Sequence, residues 1–550
     1  MGIFIHLNVL KSVRRAEWRR VYEESLELVA AFPLYEKQKR MFLGEGMYCA
    51  VPTKEREWFG RIGWHTIGDS ETFQSAEDYF LPKDLFEEKE GGTTKQGSRE
   101  DADQSRLAGN ADILMSLAPM YTNMSWEDER CTGCFELWGN KTQGENYHIY
   151  LLAIACMIED RLDGKAVVFG DITRGQCVRA VELANRCLSK PIRVPCSCDA
   201  KRLYERVRRL PLRREEILPF YFGVYQGKKD AAFGAFVREH FSAEETQVYW
   251  QERFAGEYPD TMRYERVLHE YLTLGFELDK LCRYVRLTDD AGREYDREFV
   301  EGLMRTEMFV EEKDCEDWLE IDTEEERPYG IYTLLAQFAF AGARNRRVER
   351  FIPLNEIQKT LQEQLGSRCD VNALIADWLR KEEQRKKAVA QGDMSKRAAS
   401  DRFKEKMQAG KQRLQAEQAY DITTYRELMR YKTGDRVRPE LKEELFDYYR
   451  FYQGLTEESR FGELMEKDDK ERGLFIIRHN ESVLLMEEEW RGIFARIRED
   501  KGSFERYYPM VRVRIPSQEV AMVVRALVLN DELFDCCRQS VQKPGKESET

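Results

Sequence analysis

Two stretches decide how this chain is read: WGNKTQGE (Trp138–Glu145) and FGDITRGQ (Phe169–Gln176). Each runs aromatic, Gly, Asn or Asp, any residue, Thr, Gln or Arg, Gly, Glu or Gln. Each also stands where an apolar run ends and a helical pattern begins. Before the first copy lies CFELW, a short strand candidate; before the second lies KAVVFG, a better one. Between them, NYHIYLLAIACMIEDRL is apolar on nearly every face, as a buried helix should be. After the second copy, Cys177, Val181, Ala184 and Leu188 recur at helical spacing, with Arg179, Glu182 and Arg186 opposite. PIRVP supplies a third short strand candidate.

The order β-α-β-α-β, at about 31 residues per unit, predicts right-handed crossovers in a central parallel sheet. Thr-x-x-Glu/Gln is the capping-box spacing: the Thr side chain accepts from the amide three residues on, and Glu or Gln reaches back. Thr142 with Glu145, and Thr173 with Gln176, therefore read as helix caps. SAEE (Ser242–Glu245) has the same spacing with no sign of function. Capping alone explains both copies as two well-started helices.

Capping does not explain Lys141, Asp171 or Arg174. In a parallel sheet both loops open at the carboxyl edge, where open α/β folds place ligands, with helix amides aimed at an anion. Asp171 is then the candidate acid or base. Asn140, Lys141, Thr142, Thr173 and Arg174 are candidate ligand contacts, and Asp199 in the following CSCDAKR loop reaches the same rim. The run KRLYERVRRLPLRR (201–214) holds seven Lys or Arg against the single acid Glu205, a local reversal of charge that favours an anionic ligand or, equally, an exposed basic helix face.

The remaining composition restricts the function classes. The chain has 550 residues, a net charge of -13 and 34% charged residues, which argues for several domains and against general nucleic-acid binding. Thirteen cysteines, several inside apolar helices, fit free thiols in a reducing compartment. The longest apolar stretch, GIYTLLAQFAFAGA (330–343), is too short to span a bilayer, and the N-terminal run lacks the signal-peptide order. The expectation is a cytoplasmic protein without a membrane segment.

Metal and cofactor signatures are weak. Cys131-x-x-Cys134 and Cys196-x-Cys198 invite a zinc site, but parallel strands of four or five residues would hold the two pairs about 13–17 Å apart. The six histidines form no metal motif, and His148 reads as a core histidine near the rim. No GxxxxGK[ST], GxGxxG or GxSxG occurs. Neither metal nor cofactor is expected.

The expected architecture is multidomain, α/β plus α+β, with a helix-rich second half. Residues 1–85 form a small α+β domain with a strand GIFIHLNV, a helix to about Ala31, and a hairpin turning at Gly44–Gly46. Residues 86–111 read as a polar linker, 112–295 as the α/β domain and 296–425 as mainly helical. Within the last, the narrow stripe Phe403, Met407 and Leu414 suggests a solvated connector. Residues 426–540 read as α+β, with a hairpin in LFIIRHNESVLLM and a strand in YYPMVRVRI, before a disordered tail, 541–550. Two functions remain open: a non-catalytic binding protein engaging a protein partner or a small anionic ligand, or an enzyme acting on a phosphorylated or carboxylated substrate at the 139–144/171–176 rim.

Overall fold

The computed structural model describes residues 2–86, 112–311, 348, 350–391 and 420–542. The expected linker from 87, the apolar stretch 330–343, the 403–414 stripe and the tail from 543 lie outside the described residues. Eight strands occur among those described: β1 (Phe4–Leu10), β2 (Leu34–Phe42), β3 (Glu45–Pro52), β4 (Glu55–Trp58), β5 (Arg61–Asp69), β6 (Ser75–Pro82), β7 (Cys134–Lys141) and β8 (Ala166–Gly170). The chain divides into two compact units. The first holds 1–31, 55–64 and 79–393; the second holds 32–54, 65–78 and 394–550.

The central parallel sheet expected from the sequence is not found among the described residues. In the first unit, β1 lies between β7 and β8 and pairs antiparallel with both. Ile5 faces Asn140 on one side and Gly170 on the other. The strands flanking the long crossover thus point the same way without touching. An N-terminal strand contributed from more than a hundred residues upstream fills the gap. Its own sequence suits that place: Ile5, Leu7 and Val9 are buried at alternate positions, and Asn8 and Leu10 are buried too, as a strand enclosed on both faces requires. The expected third strand, PIRVP, is absent; residues 191–195 are irregular.

Helix α1 (Arg15–Ala31) follows β1, α2 (Tyr147–Arg161) joins β7 to β8, and α3 (Arg174–Asn185) follows β8. Helix α2 packs on both α1 and α3. From Tyr147 to Glu159 every residue of α2 except Tyr150 is buried, which accounts for its near-uniform apolar sequence. Beyond α4 (Ala200–Val207) and α5 (Arg214–Val224) the chain stays helical through Arg305, not alternating α/β as expected for 112–295. Its core is aromatic: Tyr221 stacks on Phe233 at 5.6 Å between ring centres, and Trp250 packs edge-on against Tyr271 at 5.0 Å.

In the second unit, β2 and β3 form a hairpin turning at Leu43–Gly44, both with positive φ, the geometry that matches strand twist in two-residue turns. The expected hairpin in LFIIRHNESVLLM is instead a helix, Asp469–His479, started by Asp468 accepting from the Glu471 amide at 2.7 Å. A short apolar run buried on several sides does not reveal its period. The expected strand YYPMVRVRI is not formed: Tyr507 ends a one-turn helix, Ser503–Tyr507, residues Pro509–Val511 make a 3-10 turn, and the rest is irregular. Pro509, with fixed φ and no amide to donate, suits the first position of a helical turn. Among the described residues no helix is long and apolar enough to cross a membrane.

Helix packing sets one sharp test. Gly234, inside α6 (Ala231–His240), would place a Cβ 1.8 Å from the Leu274 carbonyl oxygen. Alanine ordinarily favours a helix over glycine by about 1 kcal/mol. Gly234→Ala should nevertheless destabilise, by roughly 1–3 kcal/mol of overpacking, measurable as a lowered Tm.

Candidate functional site

The two matching loops are each fastened to the start of β1. In the first, the Thr142 amide donates to the Ile3 carbonyl at 2.8 Å, and its hydroxyl lies 3.3 Å from the same oxygen and 2.7 Å from His148 Nδ1. Gln143 and Gly144 both have positive φ and reverse the chain, so α2 begins only at Tyr147, and the side chain of its cap, Asn146, makes no capping hydrogen bond. The expected Thr142–Glu145 capping box is therefore not formed: the threonine hydroxyl is turned toward β1 and His148.

The second loop does form its box. Thr173 Oγ1 accepts from the Gln176 amide at 3.2 Å, and Gln176 Oε1 accepts from the Thr173 amide at 3.0 Å. Asp171 makes a reciprocal clasp with Phe4: its amide donates to the Phe4 carbonyl, and its Oδ2 accepts from the Phe4 amide, both at 3.0 Å. Gly170, at φ 123°, is the residue this approach demands, since a Cβ would sit 2.7 Å from the Phe4 carbonyl.

Most of the predicted rim residues thus have structural work. Asn140 and Gly170 stand about 10 Å apart, two strand spacings, with β1 between them. The Asn140 carbonyl accepts from the Tyr79 hydroxyl, and the Lys141 ammonium lies 5.5 Å from the Phe4 ring centre. Arg174 is exposed at the first position of α3. Asp199 is drawn away from the rim altogether; it caps α4, accepting from the Arg202 amide at 2.9 Å.

A cavity of about 220 Å³ lies instead among the end of α2, residues 193–196 and α4. Its arginines come from the basic run: Arg202, Arg206 and Arg209 follow at i, i+4 and i+7, on one face of α4 and the turn after it. Arg193 completes the group. Arg206 forks onto Asp112 at 2.6 and 2.7 Å, and its third donor meets the Cys196 sulfur at 3.0 Å. Arg202 spends one donor on the Val194 carbonyl at 2.9 Å. Arg209 has no ion-pair partner among the described residues.

The inner acids of this cavity are already occupied. Glu159 is buried and accepts from the amides of Val168 at 2.8 Å and Cys196 at 3.3 Å; burial raises its pKa above the ordinary carboxylate value. Asp160 accepts from Arg193 at 3.2 Å and Arg161 at 3.0 Å. Asp163 and Glu205 sit exposed at its margin. Burial, with the neighbouring Glu159, pushes the Cys196 thiol up to about 12 despite Arg206, so it stands as a neutral thiol and not as a nucleophile.

The Cys177 thiol neighbours those of Cys156 and Cys198, and all three are buried. Cys131 touches the Met124 sulfur at 3.5 Å. Among the described residues no group of three or more His, Cys, Asp or Glu is arranged to hold a metal ion. Sequence reasoning missed Glu159, Arg193 and Cys196 as cavity residues. The signal it did hold was the basic run, whose 202/206/209 spacing marks a single helix face.

The chain matches no family model, no curated protein and no solved structure.

Two consequences of the loop geometry can be measured. Burial holds the His148 pKa down at about 4, outweighing the nearby Gln176 side chain, which favours the protonated form. The unfolded chain therefore binds the proton more readily, and stability present above the usual histidine pKa is lost as pH falls toward 4. The loss should reach about 3 kcal/mol, and denaturation curves at pH 7.5 and 4.5 should differ less in His148→Gln than in the parent. Asp171→Ala removes the acceptor of the Phe4 amide and should cost about 1–2 kcal/mol. The Asp171 charge also raises the His6 pKa against burial, so the same variant should titrate His6 at lower pH by NMR.

Proposed function

We propose that the protein is a non-catalytic binding protein for a small anionic ligand, a phosphorylated or carboxylated molecule, taken up in the cavity between the end of α2 and α4. The observation that carries this reading is the stacking of Arg202, Arg206 and Arg209 on one face beside Arg193. Like charges at helical spacing repel; Arg206 has a counter-charge in Asp112 and Arg193 one in Asp160, while Arg202 and Arg209 form no ion pair among the described residues. The inner carboxylates are spoken for by backbone amides and by arginines. Guanidinium donors left over on a common wall suit the planar, multi-acceptor geometry of phosphate or carboxylate. Cys196, the one thiol on the wall, is held protonated, which favours binding over nucleophilic chemistry.

Thermal unfolding with inorganic phosphate and, separately, with succinate tests the proposal, against chloride at equal ionic strength. At one hundred times Kd a ligand adds about 2.7 kcal/mol, so a rise in Tm of several degrees is expected from at least one anion. The double variant Arg202→Gln/Arg209→Gln should abolish the rise, while Arg208→Gln, outside the cavity, should keep it. No rise with either anion, or an unchanged rise in the double variant, overturns the reading.

A further inference from the structure

The second unit contains its own cavity, of about 110 Å³, independent of the arginine cavity described above. Its floor is Arg525, on the helix Gln518–Leu529. The guanidinium lies 4.1 Å from the Phe73 ring centre and donates to the Glu71 carbonyl at 3.0 Å and to Glu489 at 3.2 Å. Its Nε–H is buried and meets no acceptor among the described residues. A buried charged donor left unmade is costly, and Arg525 lines this space.

The turn that holds Phe73 under the guanidinium is itself constrained. Asp69 accepts from the Thr72 amide and hydroxyl, both at 2.8 Å, and the Gln74 amide donates to Thr72 Oγ1 at 3.2 Å. Phe73 has a φ of 54°, a conformation that a bulky residue adopts only when its surroundings impose it. The remainder of the wall is largely apolar, with Met429, Val483, Leu484, Ile515 and Met522. A second guanidinium, Arg426, lines the same space and spends one donor on the Gln74 side-chain carbonyl. The one acid there, Glu71, has its carboxylate 3.9 Å from Arg430.

Two guanidiniums on the wall of a small, largely apolar slot, one of them with a donor that meets no acceptor, suit a ligand with a carboxylate on a short branched or linear apolar body. We infer that this cavity binds such a carboxylate, with Arg525 and Arg426 holding the acid group and the methionines enclosing the tail. Either a free short-chain acid or the carboxyl-terminal residue of a peptide presents that chemistry. A phosphate does not, because it has no apolar body to displace water from Met429, Ile515 and Met522.

The experiment uses the full chain with ¹³C-methyl methionine, titrated with 4-methylpentanoate, with its uncharged amide, with N-acetyl-alanyl-leucine and with inorganic phosphate. Saturable shifts of the Met429 and Met522 methyls are expected at about millimolar carboxylate, and binding of the amide should be weaker by roughly tenfold. Tighter binding of the dipeptide assigns a peptide terminus; tighter binding of 4-methylpentanoate assigns a free acid. Ala521 also lines the slot, so Ala521→Phe should fill it and abolish the shifts, and Arg426→Gln should weaken them. Equal shifts from acid and amide, shifts from phosphate alone, or no shift with either carboxylate would overturn the inference.

Discussion

The first unit depends on β1 inserting between two strands that a long crossover leaves apart. Its amides and carbonyls satisfy β7 on one side and β8 on the other, so no ladder edge remains open between them. At its start, Ile3 and Phe4 take up both loops: Thr142 closes on one and Asp171 on the other. The duplicated phrase is therefore a pair of clasps for one strand. Each clasp uses its polar residue differently, through a histidine-linked turn on one side and a capping box on the other.

That insertion also explains why the rim carries so little open chemistry. Asp171, the Asn140 carbonyl and Lys141 are turned to the backbone of β1, to Tyr79 and to the Phe4 ring. The open polar groups lie where the chain leaves α2 and enters α4, and there four arginines meet four carboxylates that are unevenly paired. Arg206 and Asp112 form a nearly enclosed pair, which needs its full set of hydrogen bonds to offset desolvation. The Cys196 sulfur supplies the third contact. Around that saturated pair, Arg202 and Arg209 retain unused donors, and it is their surplus that gives the cavity its character.

Legibility varied with the range of the forces involved. Helix α2 was plain, because its apolar run has no polar face, and a helix with none must be enclosed. The Thr173–Gln176 box was plain, because capping is settled within four residues. The identical spacing at Thr142–Glu145 misled, because Gln143 and Gly144 take positive φ and His148 competes for the hydroxyl. VRVRI alternates like a strand, but Pro509 and the packing of Tyr507, Tyr508 and Met510 impose a helical turn. PIRVP has strand composition and no partner.

By itself the sequence determined the elements whose stability is local: β1, α1, α2, β8, α3 with its cap, and the cationic face of α4. It also determined that the cysteines inside apolar helices would be buried. Only the tertiary structure decided which strand neighbours which, since pairing partners lie more than a hundred residues apart and any apolar strand of the right length satisfies the local pattern. It likewise decided which arginines remain unpaired. A side chain's sign is written in the chain, but its surplus or shortage of hydrogen-bond partners exists only once distant acids such as Asp112 have been brought beside it.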